Sequence, residues 1–245
     1  MTNDDGIEAE GLRALADALA PLGRVTVVAP AVESSAVGHG LTLRRPLELR
    51  EVAPGWHSVD GTPADCVNIA VSEVLGGVPD LVVSGINDGL NIGDDVTYSG
   101  TVAGALEGVL VGTPAIAVSL QRGRRMDYAG AAYIARQLAE SVLDEGLPRR
   151  TLLNVNVPRS IPRGIRVTVQ ASRRQAFATT GSRGEGPTSV RIDSAQLDWE
   201  PNERSDHEAI RGGWVSVTPL HPDWTNHAAL DAVDFLAEPA PVEVE

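Results

Sequence analysis

Two adjacent carboxylates near the start of the chain, Asp4 and Asp5, are the first side chains that suggest a chemical function. Gly6 follows them and allows a tight turn, so both carboxylates can approach one point. Hard divalent cations prefer oxygen ligands, and paired carboxylates supply negative charge that offsets such an ion. Ser35 and Asn87 would add neutral oxygens and leave positions for water and substrate. This set suits one Mg²⁺ or Mn²⁺ ion, with Ca²⁺ as a further candidate.

A purely structural interpretation of the acid pair stays open at this point. An amphipathic run follows it, with Leu12, Leu15 and Leu19 on one helical face. Acidic residues favour the N-terminus of a helix, so Asp4 and Asp5 could simply cap that run. The local motif alone does not decide between a metal site and a helix cap.

A second polar group lies in the stretch YSGT, at the start of a predicted helix. Free N–H groups and the helix dipole attract anions there. Gly100 permits close backbone approach, Ser99 and Thr101 add hydroxyl groups, and Asn91 could add an amide. Either hydroxyl could instead serve only as an N-cap. An anion cradle and an acidic metal loop at the same sheet edge would together form a phosphoester site.

Other polar residues give weaker signals. His39, in VGHG, could contact substrate, donate a proton or be structural. Arg122, with Arg124 and Arg125, could steer an anion or form a solvated surface. The stretch HPDWTNH, beginning at His221, has spacing that could bind metal, but a hydrogen-bonding role at a turn is favoured.

The composition excludes several classes of function. The 245 residues carry a formal net charge of −13, which argues against duplex nucleic acid or an anionic membrane as main partner. All 20 basic residues are Arg, so Schiff-base and Walker A lysines are excluded. G-x-S-x-G, a G-x-G-x-x-G after a strand, and the D-x-D spacing of aspartyl-phosphate phosphatases are absent.

The cysteine count and the hydropathy bear on the compartment. Cys66 is the single cysteine, which excludes internal disulfides and fits a reducing compartment. No apolar run approaches the roughly 18 residues of a membrane span, and no signal-peptide pattern is visible. We therefore expect a cytoplasmic protein that does not cross a membrane.

Helical and extended patterns alternate along the chain. Amphipathic or small-residue patterns predict helices in AEGLRALADALAPLG, PADCVNIAVSEVLGG, SGTVAGALEGVLVG and MDYAGAAYIARQLAESVLDEG. Apolar, β-branched runs predict strands in RVTVVAP, DLVVSGIN, PAIAVSL and GGWVSVTPL. This alternation predicts an α/β fold with a Rossmann-like, doubly wound, mostly parallel sheet. The candidate loops would then meet at the carboxyl ends of its strands.

Three regions depart from this alternation. Residues from about 171 to 206 are polar and Gly-rich, which predicts a projecting β-hairpin, and about 221–245 form an extended C-terminal tail with the short helical run HAALDAVDFLA. At the other end, only residues 1–3 are available for a strand before the acid pair, so we expect either that this strand is nearly absent or that the sequence begins late relative to the natural protein.

Several long stretches together resemble the SurE family of stationary-phase survival proteins, which are metal-dependent 5′-nucleotidases. The matching stretches are TNDDGIEAEGLRAL, VVAPAVESSAVGHGLTL, GTPADCV, PDLVVSGINDGLNIGDDVTYSGTVAGALEG and GGWVSVTPL. They lie between residue 2 and about residue 220, and SGINDGLNIGDDVTYSGTVAGA is long and specific. The resemblance implies one SurE-like domain over residues 1–245.

The resemblance also implies a site and an activity. The residues that would bind one divalent cation are Asp4, Asp5, Ser35 and Asn87, and those that would hold phosphate are Asn91, Ser99, Gly100 and Thr101, with His39 near the substrate. The family hydrolyses nucleoside 5′- and often 3′-monophosphates, and some members trim short polyphosphate. Its members are dimers or tetramers that exchange C-terminal segments.

The chain departs from the family pattern in the second loop. Gly38 and Gly40 stand where many relatives carry serine, and Ala36 where many carry glycine. The proposed metal ligands are unaffected. Two other functions remain as alternatives: a nucleotide sensor without turnover, and a phosphatase that forms an aspartyl-phosphate at Asp4.

Overall fold

The computed structural model describes residues 1–174, 178–182, 189–193 and 198–237. The strands are β1 Val27–Pro30, β2 Leu49–Ala53, β3 Trp56–Val59, β4 Val82–Asp88, β5 Ala115–Leu120, β6 Leu152–Val157, β7 Ile165–Val167, β8 Ala178–Ser182, β9 Ser189–Asp193 and β10 Val215–Leu220. The α-helices are α1 Glu10–Leu19, α2 Pro63–Ile69, α3 Gly100–Leu110, α4 Ala129–Glu145 and α5 Asp206–Arg211.

The main sheet has the order β4-β5-β6-β10-β7, and a smaller sheet has the order β1-β3-β2. Strand β5 is parallel to both β4 and β6, and β10 runs antiparallel to β6 and parallel to β7. In the smaller sheet β1 and β3 are parallel, and β2 is antiparallel to β3. The prediction of an α/β fold with a mostly parallel sheet is confirmed.

Residues 1–3 join the two sheets. The carbonyl of Met1 accepts a hydrogen bond from Val28 N at 2.9 Å, on the side of β1. On the side of β4, Thr2 N donates to Val83 O at 3.1 Å, and Gly85 N donates to Thr2 O at 3.0 Å. The expected short first strand is therefore a brief parallel ladder between β1 and β4. It delivers the following acid pair to the carboxyl ends of the neighbouring strands.

Helices cover both faces of the main sheet. Leu15 of α1 and Ala135 of α4 pack in one buried cluster with Val118 of β5. On the opposite face, Val102 of α3 packs in a second cluster with Ala117 of the same strand. Alternate residues of β5 thus face opposite layers, and all of that strand is buried. This is the doubly wound arrangement that the apolar runs predict.

Helix α3 lies unusually close to the strands because three glycines face them. A Cβ atom on Gly108 would lie 2.7 Å from Val82 Cβ, and one on Gly104 would lie 2.7 Å from Thr2 Cγ2. A Cβ atom on Gly100 would lie 2.7 Å from Asp4 Cβ. Close packing of α3 therefore continues along the helix to its N-terminus, where it reaches the acid pair.

The remaining predictions for secondary structure are confirmed in part. The second predicted helix is α2, continued by a π-helical turn over Ala70–Val74. The helical run of the tail forms the 3-10 turns His227–Ala229 and Asp231–Ala237. Strands β8 and β9 form a separate antiparallel pair. The other parts of the predicted hairpin and tail, residues 175–177, 183–188, 194–197 and 238–245, lie outside the described residues.

The sequence patterns do not indicate β2, β3, β6, β7 or α5. Every residue of β2 is exposed, so it has no apolar face that a pattern could reveal. Among the described residues, no helix combines the length and the apolar character needed to cross a bilayer.

Close packing of α3 predicts opposite effects for two Gly→Ala substitutions. Gly108→Ala places a methyl group 2.7 Å from Val82 Cβ, so overpacking of about 1–3 kcal/mol should exceed the gain in helix propensity of about 1 kcal/mol. Gly130→Ala, in α4 with no atom within 4 Å of the new Cβ, should stabilise the protein by about 0.5–1 kcal/mol. Urea unfolding of both variants measures the difference. Equal shifts of the two midpoints would contradict the packing argument.

Candidate functional site

Asp4 is a buried carboxylate at the N-terminus of α3. Only 5 % of its surface is exposed, and its Oδ1 accepts a hydrogen bond from Thr101 Oγ1 at 2.5 Å. Burial raises the pKa of Asp4, and the hydrogen bonds from the hydroxyl and backbone of Thr101 oppose that shift. The carboxylate thus takes the position at which the helix N-terminus favours negative charge. The helix that it meets is α3, and not α1 as the capping alternative supposed.

Asp5 is more accessible and faces the end of β4. Its Oδ2 accepts a hydrogen bond from Asp88 N at 3.3 Å. Burial and the neighbouring charge of Asp4 raise the pKa of Asp5 to about 6. The nearby cation, Arg122, donates from Nε to Asp88 Oδ1 at 3.1 Å and from its terminal nitrogen to the Asp88 carbonyl. That guanidinium is therefore engaged by Asp88, and the charge of the acid pair is not neutralised by a direct ion pair among the described residues.

Ser35 lies on a loop that is attached to the acid pair by backbone contacts. Ser34 N donates to the carbonyl of Asp4 at 2.7 Å. The hydroxyl of Ser35 donates to Glu33 Oε1 at 2.7 Å, and the charge of Glu33 acts on both Asp4 and Asp5. Ser35 is therefore connected to the acid pair through Glu33 and Ser34.

Asn87 lies at the end of β4, beside Asp88. Its side-chain nitrogen donates to Gly89 O at 2.9 Å, which leaves the amide oxygen available as a ligand. Residues Gly85 and Ile86, just before it, form a cis peptide. The pairing of β4 with β5 is also irregular between Ser84 and Asn87.

Asn91 is held by a buried polar network that the sequence did not reveal. Its side-chain nitrogen donates to Ser119 Oγ at 2.8 Å, and its backbone nitrogen donates to Asn156 Oδ1 at 2.8 Å. The carbonyl of Asn91 accepts from Asn154 at 2.8 Å and from Asn156 at 3.0 Å. Strands β5 and β6 thereby fix the loop that carries Asn91.

The first turn of α3 combines capping with a possible anion site. Ser99 is the N-cap, since its Oγ accepts from Val102 N at 3.0 Å. Thr101 is engaged by Asp4, so any effect of its hydroxyl on a bound phosphate would pass through that carboxylate. Gly100 is buried directly against Asp4. The structure therefore brings the predicted phosphate residues of α3 into contact with one of the predicted metal ligands.

His39 contacts α3 two turns further along the helix. Its Nε2 lies 2.6 Å from Glu107 Oε2, and Asn68 of α2 donates to the other oxygen of Glu107 at 2.8 Å. The His39 hydrogen bond, followed by that of Asn68, lowers the pKa of Glu107. Glu107 and Asn68 were not identified from the sequence, because Glu107 lies 68 positions from His39 in the chain.

The weaker candidates have local roles. Asp223 Oδ2 lies 2.7 Å from His227 Nε2, and Asp223 N donates to His221 Nδ1, as in the hydrogen-bonded turn favoured from the sequence. Cys66 is buried in a small apolar cluster, and burial raises the pKa of its thiol, as expected for a packing residue.

Asp206 is a further buried carboxylate, and no local pattern in the sequence indicates it. It is fully buried and accepts backbone hydrogen bonds from Gly93 at 2.8 Å, Ala171 at 3.1 Å and His207 at 2.7 Å. Burial raises the pKa of Asp206, and these three hydrogen bonds oppose the shift. This carboxylate ties the loop after β4 to α5 and to the chain after β7.

The chemistry of the donor set fits a hard divalent cation. Two carboxylates, one hydroxyl and one amide oxygen are the ligand types that Mg²⁺, Mn²⁺ and Ca²⁺ accept. Across the residues that the structure describes, no group of three or more His, Cys, Asp or Glu side chains forms an alternative metal site. The acid pair, with two carboxylates and the neutral oxygens of Ser35 and Asn87, is a candidate for such an ion on the chemistry of its donors.

Comparison with known proteins gives one consistent result. A family model described as "Survival protein SurE" matches residues 1–177. The chain is 47 % identical over 236 residues to a Syntrophotalea carbinolica protein named "5'-nucleotidase SurE", covering 95 % of this chain and 94 % of that protein. A Geobacter sulfurreducens protein of the same name is 50 % identical over 236 residues, covering 94 % and 90 % respectively.

A solved structure shows the same fold. The crystal structure of the SurE protein from Aquifex aeolicus is 41 % identical and matches with a TM-score of 0.89. The match covers 97 % of this chain and 98 % of that one. The likeness therefore extends through the loops that carry the candidate site.

The contacts of Asp206 predict a large loss of stability on its removal. Asp206→Ala leaves the backbone N–H groups of Gly93, Ala171 and His207 without their acceptor, which should cost about 3 kcal/mol in the free energy of unfolding. Asp144→Ala, at an exposed position of α4, is the matched control and should change it by less than about 0.5 kcal/mol. Urea unfolding tests both. An Asp206→Ala variant as stable as the control would refute the structural role.

Proposed function

The chain belongs to the SurE family, and from that membership we propose that it hydrolyses nucleoside 5′-monophosphates with the aid of one divalent cation. The observation that carries the proposal is the contact between Asp4 and the first turn of α3. In this contact Asp4, the proposed metal ligand, lies against Gly100 and Thr101, which belong to the proposed phosphate site. The names of the curated relatives, "5'-nucleotidase SurE", support the same activity.

The proposed metal ligands are Asp4, Asp5, Ser35 and Asn87. The cation, with Mg²⁺ or Mn²⁺ ahead of Ca²⁺, would supply charge neutralisation at the phosphoryl group and activation of a water molecule. The donor set supports this assignment because it consists only of oxygen atoms. The guanidinium of Arg122 also supports it, because it is bonded to Asp88 and so leaves the charge of Asp4 and Asp5 for a metal ion.

The residues of the chain have distinct roles in this proposal. Asp4, fixed by Thr101, orients the site, and the more accessible Asp5 takes a proton from the attacking water. Ser99 donates its hydroxyl hydrogen to a phosphoryl oxygen while its oxygen continues to cap α3. The backbone N–H of Gly100 and the side-chain amide of Asn91 complete the phosphate contacts. These donors stabilise the negative charge on the equatorial oxygens.

We also propose 3′-monophosphates and short polyphosphate as further substrates, since their phosphoryl groups present the same charge. For the assembly we propose a single SurE-like domain in a homodimer or homotetramer that exchanges C-terminal segments. The tail supports this, because Trp224 is 74 % exposed, Phe235 72 % and Leu236 71 %. Large apolar side chains at this exposure are expected to be buried by a partner.

Two alternative functions are separable by experiment. A nucleotide sensor would use the same cradle without turnover, and it has no need for paired carboxylates next to an anion. A phosphatase with Asp4 as nucleophile would form a phospho-aspartate, but Oδ1 of Asp4 is engaged by Thr101. The buried position of Asp4 therefore favours the direct attack of water.

Replacement of Asp5 should abolish activity without unfolding the protein. Asp5→Asn removes one anionic ligand from a partly accessible position, so AMP hydrolysis at limiting Mn²⁺ should fall at least about 100-fold, and calorimetry should show weaker Mn²⁺ binding. Asp144→Asn is the control, because it removes an exposed carboxylate of α4 that is outside the proposed site and should leave the rate unchanged. Wild-type rates for Asp5→Asn at limiting metal would rule out its role as a ligand.

Metal removal should stop catalysis reversibly. We expect EDTA to reduce phosphate release from AMP to background and Mn²⁺ or Mg²⁺ to restore it, because among the described residues no side-chain cation forms an ion pair with Asp4 or Asp5, and the metal ion would supply that charge. AMP binding measured in parallel identifies the sensor alternative. Undiminished hydrolysis after exhaustive chelation would contradict the metal-dependent mechanism, and a trapped phospho-aspartate would support the covalent alternative.

A further inference from the structure

The pair formed by His39 and Glu107 is more than a local contact on the surface. The Glu107 side chain is only 8 % exposed, although it carries a carboxylate, and the His39 side chain is 30 % exposed. Both oxygens of Glu107 are occupied, one by His39 Nε2 at 2.6 Å and the other by Asn68 at 2.8 Å. A buried carboxylate with this geometry fixes the orientation of an imidazole ring.

The loop that carries His39 has other attachments, so the Glu107 contact is not required to hold it in place. On one side Gly38 N donates to the carbonyl of Tyr98 at 3.1 Å. On the other side Thr62 Oγ1 donates to Gly40 O at 2.7 Å. Further along, Thr42 donates to Asp65 from its backbone at 2.9 Å and from its hydroxyl at 2.7 Å.

His39 also lines the same cavity as Ser99, one residue of the proposed phosphate site. A cavity of about 400 Å³ is lined by both His39 and the N-cap residue Ser99. Its other walls are mostly apolar, including Val102, Leu106 and Leu152. With Nε2 directed to Glu107, Nδ1 is the ring nitrogen left to act on a ligand, and it has no hydrogen-bond partner among the described residues.

We propose that His39 is the general acid that protonates the leaving oxygen of the nucleoside, and that Glu107 and Asn68 are the residues that position it. This inference rests on the proposed phosphatase function and assigns the departure step within it. The cavity beside Ser99 would hold the nucleoside part of the substrate, with its ester oxygen toward His39.

Hydrolysis forms one P–O bond, breaks another and transfers two protons. Water attacks the phosphorus and forms a new P–O bond, while its proton passes to Asp5. The bond between phosphorus and the nucleoside oxygen breaks, and that oxygen keeps the electron pair and takes a proton from Nδ1 of His39. Glu107 remains a carboxylate throughout and orients the ring. Proton exchange with solvent then restores both His39 and Asp5.

The dependence on the leaving group tests this role. A nucleoside alkoxide needs protonation to leave, whereas p-nitrophenolate leaves without it. His39→Gln retains a side-chain N–H that can donate to Glu107 but has no acidic proton. We expect its kcat for AMP to fall about 100-fold or more, with kcat for p-nitrophenyl phosphate falling much less and Mn²⁺ binding unchanged.

Two further variants distinguish a role of His39 as the general acid from a role only in holding its loop. Glu107→Gln keeps the shape and one acceptor but loses the charge, so it should show a smaller loss with the same preference for the aryl ester. His39→Ala removes both the acid and the contact, and its kcat for AMP should be no higher than that of His39→Gln.

The outcomes distinguish failure of the inference from failure of the proposed function. If His39→Gln lowers kcat for both esters equally, or lowers neither, His39 is not the acid, and the phosphatase function stands. If the wild-type protein hydrolyses neither ester with Mn²⁺ present, the proposed function itself fails. A change confined to KM would show that His39 binds substrate without transferring a proton.

Discussion

The contact between the Asp4 carboxylate and the first turn of α3 is the interaction on which the rest of the site depends. It requires that Met1 pairs with β1 and Thr2 with β4, since these backbone hydrogen bonds bring Asp4 to the sheet edge. It also requires Gly100, because any side chain there would collide with Asp4. Glycines at every fourth position keep α3 close to the strands over its length. The packing of the helix therefore also sets the geometry of the site.

Polar rather than apolar contacts hold the surrounding loops. The asparagines of β6 bind the loop at Asn91, and Asp206 of α5 binds the same segment at Gly93. Each contact satisfies buried backbone groups that would otherwise be costly. Loops fixed in this way can present oxygen ligands without themselves entering the core. This explains how a strongly acidic chain maintains a site in which carboxylates lie close together.

Much of the fold was predictable because the central elements have strong patterns. The apolar run PAIAVSL became the fully buried strand β5, and the helical spacing after the acid pair became α1. Strand β6 was missed because the buried residues Asn154 and Asn156 interrupt its apolar run. Strand β2 was missed because it is exposed throughout. These failures follow from tertiary contacts that no local pattern records.

The site shows the same division between local and long-range information. The acid pair and the YSGT stretch could be recognised from residue types and from resemblance to a family. The partners that position them could not, because Asp206 meets Gly93 across 113 positions and Glu107 meets His39 across 68. In the sequence, Asp206 and Glu107 also look like any other acidic residues. Their significance comes from burial and from the occupation of both carboxylate oxygens.

The most direct test of the central claim is the anomalous scattering of a crystal soaked in Mn²⁺. We predict one strong peak per subunit within about 2.0–2.6 Å of oxygens from Asp4, Asp5, Ser35 and Asn87, beside the N-terminus of α3. A strong peak elsewhere, for instance at the His221 turn, with none between the two carboxylates at millimolar Mn²⁺, would contradict the account.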